Sequence, residues 1–367
     1  MKPKLLCILH RSPPAHGAAK VGDFIGESKK LHDALECKFI TIKSSETIGD
    51  IGKVNFKKLY LVIELYFKVL FALVSFRPSK IYFTASVNGA AFYRDILLSS
   101  LWKTYSFITY VEIFYHYHTK GVDKFINTSN STLKLVNFFV RGVNIILLSP
   151  LLKQDIDKLD NYNSILYLSN GVEDHMKQID FTNYLDIKYN NINTINILYL
   201  AHMMKDKGYL EALELANLNK NNNIHFHFAG SWKNQVNEKD FFHYIEEKKL
   251  KKSITFHGFV SGKEKEKLFE KAHILLYPSK NDAFPLTLLE SFSYGVPVVT
   301  TNEGSIPFLV DDKSGVVVSD LEDLPIALED TLENLINKET SYYCRKRYLD
   351  NFSLEQFEEN LVNIINN

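Results

Sequence analysis

Short apolar runs alternate with stretches of helical period along this chain, and they do so in two consecutive series. That alternation builds parallel sheets, because parallel neighbours need a crossover and strands covered on both faces are apolar throughout. In the first series, residues 5–10, 39–42, 81–84, 107–111 and 144–148 read as strands, with helical stretches at 19–35, Phe56–Phe76 and 91–103. In the second, strands fall at 195–200, 225–229, 254–257, 274–277, 296–300 and 315–318, with helices at 208–218, 263–271 and 286–294. Two series of similar size in 367 residues predict an α/β protein of two Rossmann-like, doubly wound domains. The joint is expected within 168–193, where Asn170-Gly171 marks a turn and the stretch 190–196 is rich in asparagine. Open α/β sheets bind ligands beyond the carboxyl ends of their strands, so two such domains are expected to face a central cleft that holds the site.

Charge narrows the partners. Residues 1–165 carry 22 Lys and Arg against 13 Asp and Glu, so the neutral total hides a basic first half and an acidic second half. A basic half is expected to meet an anion, either a phospholipid surface or a phosphorylated acceptor. No zinc-ligand cluster, RNA-binding aromatic signature or basic helix supports nucleic acid. His225, His227 and His257 are assigned no metal. Asp155 and Asp157 imitate a metal-binding carboxylate pair but fall in an expected helix, where residues two apart do not share a face. Cys7, Cys37 and Cys344 are widely spaced and fit a reducing compartment as small core residues. No secretory signal precedes the first strand, so a cytoplasmic location is expected. No charge-free apolar run of 18 residues occurs, so no spanning segment is expected. Phe56–Phe76 is aromatic and aliphatic, with Lys57, Glu64, Lys68 and Ser75 on a narrow polar stripe. It is expected to be a mostly buried crossover helix; contact with an anionic membrane interface is the alternative.

The chemistry gathers in Tyr277-Pro-Ser-Lys-Asn-Asp282-Ala-Phe284-Pro285-Leu286-Thr287-Leu-Leu-Glu290. A strand ends near Pro278, a loop carries Asp282, and a helix begins about Leu286 with Pro285 at its start, where a missing N–H is harmless. The free amides and positive dipole end of that helix suit a diphosphate. Glu290, in the first turns, can accept from the vicinal hydroxyls of a ribose.

This segment resembles the acidic-x7-acidic signature of family 4 glycosyltransferases, with Asp282 one methylene shorter than the family's first glutamate. The resemblance implies the GT-B fold, Glu290 on the nucleotide ribose, and Asp282 against the donor sugar. Tyr199-Leu-Ala-His202-Met-Met-Lys-Asp-Lys207-Gly208 is similar to the family's Gly-Arg-x4-Lys-Gly loop, with His202 in the arginine position and Lys207 in place to grip the diphosphate. His-Gly-Phe259 matches the loop against the base, and Leu168-Ser-Asn170-Gly171 the turn opening the second domain. In the first domain, Pro-Ala-His16-Gly17-Ala18-Ala19 resembles the small-residue loop beside the donor phosphates. His118, in Tyr115-His116-Tyr117-His118, resembles the histidine facing sugar and acceptor. The resemblance places domains at 1–168 and 169–345, and a closing helix at 346–367 that returns to the first domain.

The expected activity is retaining transfer of a hexose from a nucleotide-diphosphate sugar, a UDP-sugar before a GDP-sugar, without metal or cofactor. Lys207, His118 and Asp282 are the expected catalytic residues. Gly17, Ala18, His202, Phe259, Phe284, Pro285, Leu286, Thr287 and Glu290 complete the donor site. The expected acceptor is a lipid-diphosphate-linked saccharide of surface polysaccharide or O-antigen assembly, reached at the inner face of the cytoplasmic membrane. The alternatives are a non-catalytic nucleotide-sugar-binding partner of another transferase, and a nucleotide-sugar epimerase of the same architecture.

Overall fold

The computed structural model describes residues 2–13, 17–43, 56–190, 192–233 and 235–366, and for 56–58 and 235 the backbone alone. Two compact units emerge: Met1–Asn170 with Leu354–Asn367, and Gly171–Ser353.

Unit 1 runs β1 (Lys4–Leu9), α1 (Gly17–Glu27), α2 (Lys29–Ala34), β2 (Glu36–Thr41), α3 (Phe56–Phe76), β3 (Lys80–Ala85), α4 (Gly89–Ser106), β4 (Glu112–Tyr117), α5 (Val122–Ile126), α6 (Asn130–Val140), β5 (Asn144–Leu147) and β6 (Ser164–Tyr167). Its parallel six-stranded sheet has the order β2-β1-β3-β4-β5-β6. The direction of winding reverses between β1 and β3. Leu5 to Leu9 are all buried, as a strand covered on both faces requires.

Two local expectations are corrected here. The helix expected over 19–35 is two, because the Ser28 hydroxyl accepts from the Leu31 amide and starts a second helix. The strand expected at 107–111 is the turn after α4, with Phe107 90% and Ile108 82% exposed. Those residues have strand propensity but no neighbouring ladder. The strand starts at Glu112, where Lys80 pairs with it in register and across a 2.6 Å ion pair. The four-residue edge strand β6, whose residues are only partly buried, was not among the expected strands although Ile165, Leu166 and Tyr167 form an apolar run.

A third correction concerns α3, which is not mostly buried. Leu65, Val69, Ala72 and Leu73 face inward, whereas Tyr60, Phe67, Phe71 and Val74 are 61–68% exposed. The helix packs on α4 and β2 through one face only. Its Leu59–Phe76 stretch has mean hydropathy 2.0 over 18 residues and is long and apolar enough to cross a membrane by length and composition. The sequence test overlooked it because Glu64 and Lys68 interrupt the run; they pair with each other one turn apart.

Unit 2 runs α7 (Phe181–Tyr189), β7 (Ile195–Leu200), α8 (Tyr209–Leu218), β8 (Ile224–Ala229), α9 (Gln235–Glu247), β9 (Ile254–Phe256), α10 (Gly262–Lys271), β10 (Ile274–Tyr277), α11 (Leu286–Ser293), β11 (Val298–Thr301), α12 (Ile306–Leu309), β12 (Gly315–Val318), α13 (Leu324–Asn334) and α14 (Lys338–Asn351). Its sheet order β12-β11-β10-β7-β8-β9 is the dinucleotide-binding order, again all parallel. Here the winding reverses between β7 and β10. The closing helix expected at 346–367 is divided at Phe352–Ser353. α14 stays in unit 2, where Arg345 grips both Asp174 carboxylate oxygens at 2.8 Å. The last helix, α15 (Leu354–Asn366), belongs to unit 1 and buries Phe357, Leu361 and Ile365 among Leu9, Val21 and Leu31.

Candidate functional site

In unit 2 the loops leaving β7 and β10 lie side by side at the point where winding reverses, the place such sheets offer to ligands. The sequence brings them together through glycine. Gly208 has φ +77°, and a Cβ on it would stand 2.0 Å from the Pro278 carbonyl oxygen, so only glycine lets the β7 loop close against the β10 loop. The Lys280 amide then donates to the Asp206 carbonyl at 2.8 Å. From the other side, a Cβ on Gly304 would meet the Asp282 carbonyl oxygen at 2.2 Å, so the loop after β11 also presses on this segment.

Within that frame Lys207 and Asp282 meet. The Lys207 ammonium donates to Asp282 Oδ2 at 2.6 Å and to the Asn281 carbonyl at 2.7 Å, leaving its third proton for a ligand. The buried Tyr277 hydroxyl donates to the same Asp282 oxygen at 2.7 Å. Burial, then the Asp282 charge, pushes the Tyr277 pKa well above its ordinary value, so it remains the donor. Tyr199 fixes the loop from below, donating to the Lys207 carbonyl at 3.1 Å. Each charged side chain is 19% exposed, reachable yet largely dehydrated.

α11 opens directly beyond this pair. Pro285 sits at its N-cap and no acidic residue occupies its first turn, so the amide end keeps its positive potential. Leu286 and Thr287 are partly exposed there, whereas Phe284 is buried with its ring edge-on to Phe352 and serves packing. Glu290 lies one turn further and takes an ion pair from Lys265 of α10 at 2.7 Å.

His202 leans the other way. Its Nδ1 is 2.9 Å from the Ser231 hydroxyl, and the Met203–Trp232 bridge holds its loop along the loop after β8. Burial, then Lys207 and Lys233, lowers its pKa, so at neutral pH it is an uncharged hydrogen-bonding ring where a family member has a guanidinium. Phe259, 68% exposed, follows β9 beyond that loop; the Gly230 amide donates to Gly258 there at 2.8 Å.

The remaining candidates belong to unit 1. Gly17 and Ala18 begin α1 after β1; Pro14 to His16 lie outside the described residues. A Cβ on Gly17 would meet nothing within 4 Å, whereas one on Gly22 would meet the His10 carbonyl oxygen at 1.8 Å, so Gly22 is the close-approach glycine of this corner. His118 follows β4, half-buried, its ring centroid 4.0 Å from that of His116. His116 is fully buried against the Tyr82 hydroxyl at 2.5 Å, and burial drives its pKa well below the ordinary value. Asp155 caps α5, accepting from the amides of Gly121, Val122 and Asp123, which accounts for it without a metal.

Residues 185–348 match the family model described as glycosyl transferases group 1. This segment, just under half of the chain, is thus similar to the group 1 glycosyltransferases. The match spans β7 to α14 and so contains Lys207, Asp282, α11 and Glu290. The chain is 27% identical over 243 residues to the Staphylococcus aureus capsular polysaccharide biosynthesis glycosyltransferase CapM, covering 61% of this chain and 62% of that one. It spans only about a third of two other curated relatives. Among solved structures, a Rickettsia africae glycosyltransferase superposes with TM-score 0.73 at 16% identity, covering 99% of this chain and 98% of that one. Anabaena HepE in complex with UDP-glucose gives 0.69 at 14%, covering 99% of both. At these identities the likeness is one of fold, and it is the two-domain GT-B fold.

Sequence reasoning missed the supports of this candidate site. Tyr277, Lys265, Lys233 and Gly304 act across turns and neighbouring strands, so no local pattern announces them. Gly304 alone left a signal, a glycine shortly after an expected strand.

Proposed function

We propose that this protein is a retaining, metal-independent hexosyltransferase that takes its sugar from a nucleotide diphosphate, a UDP-sugar before a GDP-sugar. The observation that carries the reading is the convergence, at one switch point, of the Lys207 ammonium, the open amide end of α11 and the Glu290 carboxylate. A diphosphate between Lys207 and the helix start would leave its ribose within reach of Glu290. As the bond from the anomeric carbon to the phosphate oxygen breaks, the electron pair stays on the diphosphate. Lys207 and the α11 amides stabilise that charge. The acceptor hydroxyl attaches to the same face of the sugar and its proton passes to a departing phosphate oxygen, so no protein base is needed. Asp282 holds Lys207 in place besides touching the sugar, and His118 orients sugar and acceptor. His202 adds a hydrogen bond without charge.

HepE, solved with UDP-glucose, supports the UDP preference, and the CapM name supports surface-polysaccharide assembly. The acceptor is a lipid-linked saccharide presented at the inner face of the cytoplasmic membrane. A panel of UDP- and GDP-sugars tests the donor, since a true one raises the melting temperature by mass action. Stabilisation by UDP-hexoses and slow hydrolysis of one of them by the purified chain is the expected result. Stabilisation without any turnover would favour a non-catalytic nucleotide-sugar-binding partner, a role open to a chain with His202 in the arginine position. No response to any nucleotide sugar would end both readings.

A further inference from the structure

Helices of soluble proteins turn an apolar stripe inward and a polar one outward, and α3 of unit 1 does not. Leu65, Val69, Ala72 and Leu73 form its buried stripe, 0–5% exposed. On the opposite side Leu59, Tyr60, Ile63, Phe67, Phe71 and Val74 repeat at helical spacing and are 48–68% exposed. The polar groups among them are internally matched: Lys68 pairs with Glu64, and the Ser75 hydroxyl donates to the Phe71 carbonyl at 2.6 Å. The stripe continues onto the turn after α4, where Phe107, Ile108 and Tyr110 are 82–90% exposed. The Tyr105 hydroxyl donates to the Pro78 carbonyl at 3.3 Å and so keeps that turn beside the end of α3.

We propose that the outward face of α3 and the turn 107–110 seat unit 1 on the surface of an anionic bilayer. Charge decides between a membrane and a second copy of the chain. Cations rim the apolar stripe: the Lys38 ammonium stands 5.6 Å from the Phe71 ring and 5.8 Å from the Phe76 ring, exposed Arg77 follows the helix, and Lys43 stands near Glu64. Residues 1–165 have 22 basic against 13 acidic side chains, so two copies meeting here would bring like charge to like, whereas anionic headgroups bring the opposite. The apolar rings enter the acyl boundary while the lysines and Arg77 remain among the phosphates. The helix lies along the surface. At about 1.5 Å per residue it could span, but spanning would strip its inner stripe from α4 and β2.

The inference extends the reading of a lipid-linked acceptor, yet stands on the surface of unit 1 alone. Co-sedimentation of the full chain with phosphatidylglycerol-rich vesicles and with pure phosphatidylcholine vesicles tests it. Wild type is expected to bind the former at least about tenfold more tightly, losing the preference at high salt. Two variants report on the two parts of the surface: Phe67→Ser with Phe71→Ser, and Ile108→Asp alone. Both replace exposed side chains, so melting temperature should hold while vesicle binding falls at least about tenfold. Arg77→Glu should lower binding to anionic vesicles about fivefold and leave phosphatidylcholine unchanged. Equal binding by wild type and the serine variant, or binding to neither vesicle, overturns the proposal. So does a dimer in size exclusion that the serine variant abolishes without any vesicle binding. Thermal stabilisation by UDP, measured on the same proteins, reports the donor site separately: vesicle binding without it would sink the enzymatic reading and leave this one standing.

Discussion

In unit 2 the loops that leave the sheet at its switch point are bound to one another before any ligand arrives. Gly208 closes on Pro278, Gly304 on Asp282, and Lys207, Tyr277 and Asp282 share one carboxylate oxygen. In unit 1 the corresponding corner, after β1, opens into Gly17 with free space around it, and the charge nearby is spent on structure, Arg11 pairing with Asp23 at 3.3 Å. Two parallel sheets of the same size are therefore finished differently at the corresponding corner. One holds what we propose is an anion grip, and such a grip has to be rigid to stabilise charge as it develops. The other carries a basic and outwardly apolar surface, the one we propose meets a bilayer.

The contrast can be broken most forcefully at Lys207. Lys207→Ala is expected to lower kcat/KM about 10²–10³-fold with the circular dichroism spectrum unchanged, and wild-type turnover would remove the grip from unit 2. Gly208→Ala tests whether the grip is built by close approach. A side chain at φ +77° and 2.0 Å from a carbonyl oxygen should destabilise by about 3 kcal/mol or more, read as a denaturant midpoint shift. Glu290→Gln keeps the shape, frees Lys265, and should weaken nucleotide affinity about tenfold by calorimetry; an unaltered affinity would remove Glu290 from the ribose.

A pH experiment sharpens the comparison further. His273, buried in unit 2 with its Nδ1 accepting from the Asn196 amide at 3.0 Å, has its pKa pushed down to about 4, by burial first and by Lys188 second. The folded value lies below the ordinary one, so the neutral ring's contribution is complete above about pH 6.5 and is lost as pH falls towards 4. Stability should drop by about 2 kcal/mol over that window, and His273→Gln should flatten the curve. The smallest effect belongs to unit 1. Gly17→Ala meets no atom and no positive φ, so it should move stability by less than about 0.5 kcal/mol. Any change would then appear in donor affinity, measured by the same calorimetry.

How much of this was readable depended on distance along the chain. The strand-loop-helix from Tyr277 to Glu290 is contiguous, so its apolar run, Pro285 and paired acids could be placed before any coordinates. Gly208 and Lys207 were legible for the same reason. Lys265 meets Glu290 and Tyr277 meets Asp282 only after folding, and nothing in either segment encodes that pairing. In unit 1 the failures share one cause. Periodicity marks 56–76 as apolar and 107–111 as strand-like, but it is blind to whether a neighbour exists to cover or pair with them.

The assignment of α15 to unit 1 has a consequence for biosynthesis. Phe357, Leu361 and Ile365 complete a core whose other members include Leu5, Leu9 and Leu31. Residues 5–35 must wait with that core open until residues 354–366 emerge, after unit 2 has been made. A chain cut just after Ser353 would thus lack part of the unit 1 core while keeping every residue of unit 2.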